Sequence, residues 1–280
     1  MNHYQAMSLQ VDKHRIFSFG GGIQSVASMI LAAKGQIDFD TFIFANVGHD
    51  SENPRTLEYT DQIVKPYMDR WGLQFIELHR RNREGQPITL FEYNMNQDNA
   101  SVTIPAHLPN GGLGQRSCTS DWKVRVIDKW IKAHCEGLVY VGLGISIDEY
   151  TRMKKLKPVI LRKKGPIKYN VYPLINLRLT RSECLRIIQA EKLPIPEKSS
   201  CWFCPFHSKK AWIDLSVEHP LLFQSAIELE EVINSKRHLS GKDRMTLHSS
   251  GRSLAEVVSG DQMRLFEDED DTCDGGYCFV

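Results

Sequence analysis

The run RIFSFGGGIQSVASMILAAKG, residues 15–35, places three glycines between an apolar, aromatic segment and a helix-forming one. It predicts a short buried strand at 15–19, a turn at Gly20, Gly21 and Gly22, and a helix from about Ser25 that Gly35 closes. The pattern then repeats. TFIFANV (41–47) reads as a second buried strand, and Asn53 as the N-cap of a helix with Pro54 at its first position, running to about Trp71 and kinked or shortened at Pro66. LQFIEL (73–78) predicts a third strand and LVYVGLG (138–144) a fourth. Between them, Val124, Ile127, Trp130, Ile131 and His134 share one face of a helix from Asp121 to about His134. Alternating strands and helices predict an α/β fold, a mostly parallel sheet with helices on both faces. The Pro- and Gly-rich stretch 101–115 reads as a mobile loop, and Thr180 with Glu183 as a capping box opening a helix to about Glu191. Beyond Pro194 the character changes to a cysteine-bearing loop, helices at about 208–216, 220–237 and 253–266, and an acidic tail. A boundary near residue 195 therefore divides an α/β domain (1–195) from a C-terminal region (196–280).

A chain of 280 residues that is 41% hydrophobic and 25% charged, with 12 Phe, 9 Tyr and 5 Trp, can bury a full core, which excludes disordered and fibrous classes. The longest apolar runs, such as VASMILAA (26–33), fall short of the roughly 20 residues a bilayer span needs, and the first 15 residues lack an apolar signal segment. The expectation is a soluble, cytoplasmic protein with no membrane partner. The 35 basic and 34 acidic side chains nearly cancel, so affinity for a polyanion must come from local clustering. Such clusters exist: Arg152, Lys154, Lys155, Lys157, Arg162, Lys163, Lys164 and Lys168 lie in a strip without an acid, whereas 267–274 holds six acids. The strip reads either as a solvated hairpin or as a contact for a nucleic acid.

Glycines between a strand and a helix let backbone N–H groups approach a phosphate, although they also serve simply to pack the helix on the strand. No GK[ST] follows, so the turn is not a Walker A loop. Seven cysteines without a secretion signal read as reduced thiols or metal ligands. Cys201-Trp-Phe-Cys204, with His207 three residues on, fits a zinc clamp, two buried thiols or a redox dithiol. Cys118 lies 83 residues upstream, Cys135 and Cys184 fall at helical positions typical of buried thiols, and Cys273 and Cys278 lie in the tail.

Five phrases in order, SFGGGIQSVA (18–27), ANVGHDSENPRTLEY (45–59), RSCTSDWKVRV (116–126), GISIDEYTR (144–152) and YPLINLRLTRSEC (172–184), resemble the phosphoadenosine phosphosulfate (PAPS) reductase family of the PP-loop superfamily. The layout is closest to its iron–sulfur adenylyl-sulfate reductases, and the likeness spans about residues 14–204. It implies that Ser18, Gly20, Gly21, Gly22, Gln24 and Ser25, with Asn46 and Gly48, bind an adenine nucleotide: adenylyl sulfate, phosphoadenylyl sulfate or ATP. It implies that Lys123 and Arg152 neutralise the sulfonyl oxygens, and that Cys118, Cys201 and Cys204 hold a [4Fe-4S] cluster, whose fourth ligand is Cys278 in preference to Cys273 unless one iron is left open. In a competing role Cys278 is the nucleophile, resolved by a thioredoxin-type reductant. The implied activity is that of an oxidoreductase of sulfur metabolism reducing an activated sulfate. The alternatives are an ATP-dependent sulfur-transfer or nucleic-acid-modifying enzyme, of the tRNA-thiolation or DNA-phosphorothioation type, and a non-catalytic nucleotide sensor.

The chain departs from the family's pattern at several places. Gln24 stands where ATP pyrophosphatases of the superfamily carry an acid; neutral Gln suits a site that need not support a magnesium ion. Asn46 and Val47 replace an Asp-Thr pair, and Ser117 stands beside Cys118 where a second cysteine is usual, leaving three thiolates. The tail CDGGYCFV also lacks the Glu-Cys-Gly-like phrase of the family's nucleophile.

Overall fold

The computed structural model describes residues 13–161 and 164–259. Six strands form one sheet: β1 (Lys13–Phe19), β2 (Thr41–Asn46), β3 (Gln74–His79), β4 (Leu138–Leu143), β5 (Val159–Ile160) and β6 (Ile167–Val171), in the order β3-β2-β1-β4-β6-β5. All neighbours are parallel except β5 and β6. Side chains alternate across the sheet because successive residues of a strand point to opposite faces. Phe17, Phe19, Phe42 and Phe44 pack on one side with the helices Ile23–Ala33 and Arg181–Ala190. On the other side Ile16, Ile43, Val139 and Val141 meet Ile127 and Ile131 of the helix Arg125–His134. This is the expected α/β sheet with helices on both faces.

The connection from β1 leads to β2 on one side, and the chain later returns to place β4 on the other. The carboxyl ends of β1 and β4 therefore flank a topological switch point, where open α/β sheets hold their ligands. The glycine turn sits at that edge.

Local expectations hold where the residue chemistry is explicit. The Asn53 side chain accepts from the Arg55 N–H at the start of Pro54–Tyr59, and Thr180 with Glu183 forms a reciprocal capping box. Pro66 does not break its helix: the chain widens to a π-turn over Thr60–Val64 and re-enters at Lys65–Arg70 with Pro66 in the first turn, where its missing N–H costs little. The helix expected from Asp121 begins earlier, through Ser117–Thr119 and a π-turn at Ser120–Val124. Its expected apolar face is only partly buried, since Val124 is exposed. The stretch 101–115 is not a free loop. Ile104 and Ala106 are buried, and the His107 backbone exchanges hydrogen bonds with Thr246. The helices after residue 208 are Lys209–Glu218, Pro220–Leu239 and Leu254–Ser259. They share a core with the earlier chain, in which Trp122, Leu90 and Ile104 pack with Phe203, Trp212 and Leu229. The last part of the helix expected over 253–266, and the acidic tail with Cys273 and Cys278, lie outside the described residues. Among the described residues no helix is long and apolar enough to cross a membrane.

Candidate active site

Gly22 is the N-cap of Ile23–Ala33 and brings no side-chain cap, so the first N–H groups of that helix face the loop. The Ser25 hydroxyl accepts from the Gly20 N–H at 2.9 Å and closes the turn. Gly21 has φ +77°, and a Cβ there would lie 2.9 Å from the Thr56 methyl and 3.3 Å from the Ser199 hydroxyl. Around this cradle the buried hydroxyls of Thr56 and Ser199, with that of neighbouring Ser200, have no hydrogen-bond partner. Buried hydroxyls without partners are costly unless a ligand satisfies them. Ser18, Gly22, Gln24, Ser25, Arg152 and Lys198 line the cavity, with Arg181 also on its wall. Backbone donors, the unpaired Ser199 hydroxyl and three cationic side chains against one acid, Glu197, suit a phosphate or phosphosulfate.

Gln24 is held by its amide, which donates to Glu149 Oε2 at 3.1 Å, while Glu149 Oε1 accepts from Arg152 at 2.6 Å. An acid at position 24 would oppose the Glu149 carboxylate, so the neutral residue and the Glu149–Arg152 pair form one arrangement. Asn46 and Gly48 do not line the phosphate cavity. Asn46 donates to Glu77 at 2.7 Å and accepts from the Gly48 N–H at 2.8 Å, tying the end of β2 to β3. Gly48, at φ +131°, leaves no room for a Cβ, which would fall 2.5 Å from that of Thr89.

Cys118, Cys201 and Cys204 line a second cavity, with Arg116, Lys123 and Ser200. The loop carrying the Cys-x-x-Cys pair is fixed along residues 50–53: Asn53 N–H donates to Ser200 O, Trp202 N–H to Ser51 O, and the Trp202 indole to Asp50 O at 2.7 Å. His207 is not a ligand in this arrangement. Its Nε2–H donates to Cys201 O at 2.9 Å, and burial holds it neutral, its pKa pushed down to about 4. His107 braces the same loop by donating to Pro205 O. Cys135 and Cys184 are buried thiols, and desolvation raises Cys184 to about 12.

Three soft thiols on one cavity fit a thiolate-bound cluster in donor type and fall one short of four. The enclosed space is about 30 Å³, room for a water or two. The fit is one of donor type and not of position: among the described residues no three His, Cys, Asp or Glu side chains are placed together as a metal-binding group. Cys278, expected as fourth ligand or nucleophile, lies outside the described residues.

Lys123 and Arg152 do not meet in one cavity. Arg152 lines the phosphate site, whereas Lys123 lines the cysteine cavity and a third one, of about 310 Å³, which shares Ser18 and Leu143 with the phosphate site. Lys123 Nζ lies 3.3 Å from Oε1 of Glu52, a fully buried carboxylate whose Oε2 has no partner. Sequence reasoning missed Glu52, Ser199 and Ser200. The polar run Glu197-Lys198-Ser199-Ser200 before the first cysteine of the pair was the available signal. Nor is the 152–168 strip one surface: Arg152 is paired, Lys168 is buried against Asp128 at 2.7 Å, and Arg162 and Lys163 lie outside the described residues.

Residues 14–197 match the model of the phosphoadenosine phosphosulfate reductase domain. The chain belongs to this family. Among solved structures this PAPS reductase-family chain is similar to the U34-tRNA thiolase NcsA from Methanococcus maripaludis with its [4Fe-4S] cluster. The two are 15% identical over 82% of this chain and 72% of that chain, with a TM-score of 0.45. No curated protein matches it.

Proposed function

We propose that this PAPS reductase-family protein binds an adenine nucleotide with its phosphates at Gly20, Gly21, Gly22, Gln24 and Ser25, and that it reduces an activated sulfate beside the thiols of Cys118, Cys201 and Cys204. One observation carries the reading. Glu197, Lys198 and Ser199 line the phosphate cavity, and the next residues, Ser200 and Cys201, line the cysteine cavity. One rigidly anchored loop thus joins the nucleotide to the thiols.

In this reading Thr56, Ser199 and the helix N–H groups hold the phosphates, while Arg152 and Lys198 balance the charge of the sulfonyl group. Lys123 stands at the cysteine side, its charge offset by Glu52. A thiolate outside the cluster's ligand set attacks the sulfur, the sulfur–oxygen bond to the nucleotide phosphate breaks, and the nucleotide leaves, as AMP or as its 3′-phosphorylated form. A second thiol then attacks the thiosulfonate, releasing sulfite and forming a disulfide, which a thioredoxin-type dithiol reduces. A [4Fe-4S] cluster on Cys118, Cys201, Cys204 and a fourth donor such as Cys278 would supply positive field and redox tuning. Incubation without oxygen, with a dithiol and adenylyl or phosphoadenylyl sulfate, is expected to release sulfite and nucleotide in equal amounts.

A second reading, ATP-dependent sulfur transfer, is favoured by the count of three thiols at the cysteine cavity, which leaves one iron of a cluster open to carry sulfur. Magnesium-dependent conversion of ATP to AMP, with no sulfite from either sulfonucleotide, would select it. Tight nucleotide binding without turnover of any of the three would select a sensor.

A further inference from the structure

We propose that a groove on the other side of the Arg125–His134 helix from the phosphate site binds single-stranded nucleic acid. Lys123, Ile127 and Asp128 face the 310 Å³ cavity at the switch point, whereas Arg125, Lys129, Trp130 and His134 turn to a groove of about 420 Å³ completed by Arg80 and Arg81 at the end of β3. Four of the groove's residues are Arg or Lys and one, Asp121, is acidic, in a chain whose net charge is only +1.

Arg80 is the fixed cation. Its guanidinium lies 4.5 Å from the Trp122 ring centroid and 5.2 Å from that of Tyr93. Its NH1 is buried without a hydrogen-bond partner, and no carboxylate is paired with it among the described residues. Aromatic faces hold a guanidinium without cancelling its charge. Arg81 donates to Gly85 O, and Arg125 meets Asp121 at 2.9 Å while its side chain stays 75% exposed. Arg125 and Lys129 are one helical turn apart, about 6 Å. The cations therefore spread over two elements, more than a single phosphate engages.

The second ingredient is a flat aromatic surface. The Trp130 and His134 rings stack with centroids 4.5 Å apart and planes 12° from parallel, and His134 is exposed. Cations tracking a backbone beside a ring on which a base can stack are the means by which proteins hold unpaired strands without reading sequence. A duplex hides its base faces, which excludes it from this mode. The inference does not depend on the reaction proposed above, and its test involves no turnover.

The test is fluorescence anisotropy of the full chain with labelled single-stranded oligo-dT and oligo-rU as salt is raised from about 50 to 200 mM. Binding that weakens with salt is expected. The double variant Arg125→Gln/Lys129→Gln, both exposed and checked by circular dichroism, should weaken it at least about tenfold and lower the log–log salt slope by about 1.4, for two phosphates at ~0.7 each. His134→Ala should weaken binding with the slope unchanged. The proposal is overturned by no binding to either oligomer at the lowest salt, by unchanged affinity and slope in the double variant, or by displacement of the strand at equal phosphate concentration by free AMP, which would assign the groove to a mononucleotide.

Discussion

Gly21→Ala tests the phosphate cradle through its geometry. The backbone there is left-handed at φ +77°, and the added Cβ would meet the Thr56 methyl at 2.9 Å. The left-handed conformation costs an L-residue about 1–2 kcal/mol, and forcing a methyl into a packed site about 1–3 kcal/mol. Thr56 is buried and β-branched, so it cannot swing aside. The sum is about 2–5 kcal/mol, which for a chain of this size lowers the melting temperature by about 5–15 °C. Gly22 is the internal control. Its φ of −95° suits any residue, and a Cβ would find its nearest neighbour at 3.9 Å. Gly22→Ala should stay within about 1 kcal/mol of the parent and keep the N–H groups in place. Thermal and urea unfolding of both variants, with calorimetric titration of AMP, separates them: Gly21→Ala loses stability and binding, and Gly22→Ala retains both. Equal stability of Gly21→Ala and the parent, or equal damage from Gly22→Ala, would refute the reasoning.

Other consequences follow from the same structure. His207 is held neutral with its pKa lowered from 6.5 to about 4. The unfolded chain takes up that proton first as pH falls, so stability drops between those two values by about 3 kcal/mol at ~1.4 per pH unit. Urea midpoints measured from pH 7.5 to 4.5 should show the loss, and His207→Gln should flatten it. Glu52→Gln removes the buried negative charge that faces Lys123 and should lower stability by about 3 kcal/mol or less by chemical denaturation, partly recovered with Lys123→Met. Unchanged midpoints would deny the pair its role. Gln24→Glu sets a carboxylate against Glu149 and should weaken AMP binding about tenfold by calorimetric titration, with Gln24→Asn closer to the parent; equal affinities would deny the arrangement its role.

The parallel core was legible because its signals are local: apolar runs of strand length, glycine punctuation, and capping residues at Asn53 and Thr180. β5 and β6 were not. Their residues fall in a strip dominated by lysine, and only the burial of Lys168 against Asp128, a tertiary contact, shows that the strip turns inward. The helix Leu90–Met95 escaped notice although Thr89 and Glu92 form its capping box, because six residues give too little periodicity to read. At the site, the glycine turn and the three cysteines were visible as motifs. The distinct cavities of Lys123 and Arg152 were not, since they depend on which face of two separate helices each residue occupies. Asn46 and Gly48 were assigned by position in a motif. In the structure Asn46 bonds to Glu77 and to the Gly48 N–H, and Gly48 lies against Thr89, a joint that the motif did not reveal. Glu52 lies inside the quoted phrase 45–59, but nothing in that phrase singled it out; its importance comes from burial beside Lys123.

The central claim is that one ligand couples the glycine turn to the cysteine loop. Hydrogen–deuterium exchange of the protein, prepared without oxygen, with and without AMP or adenylyl sulfate, measures this directly. The account expects slower exchange in two segments together, 20–26 and 198–204, with 80–85 unchanged. Protection confined to the glycine turn, or absent from both segments at saturating nucleotide, would contradict it.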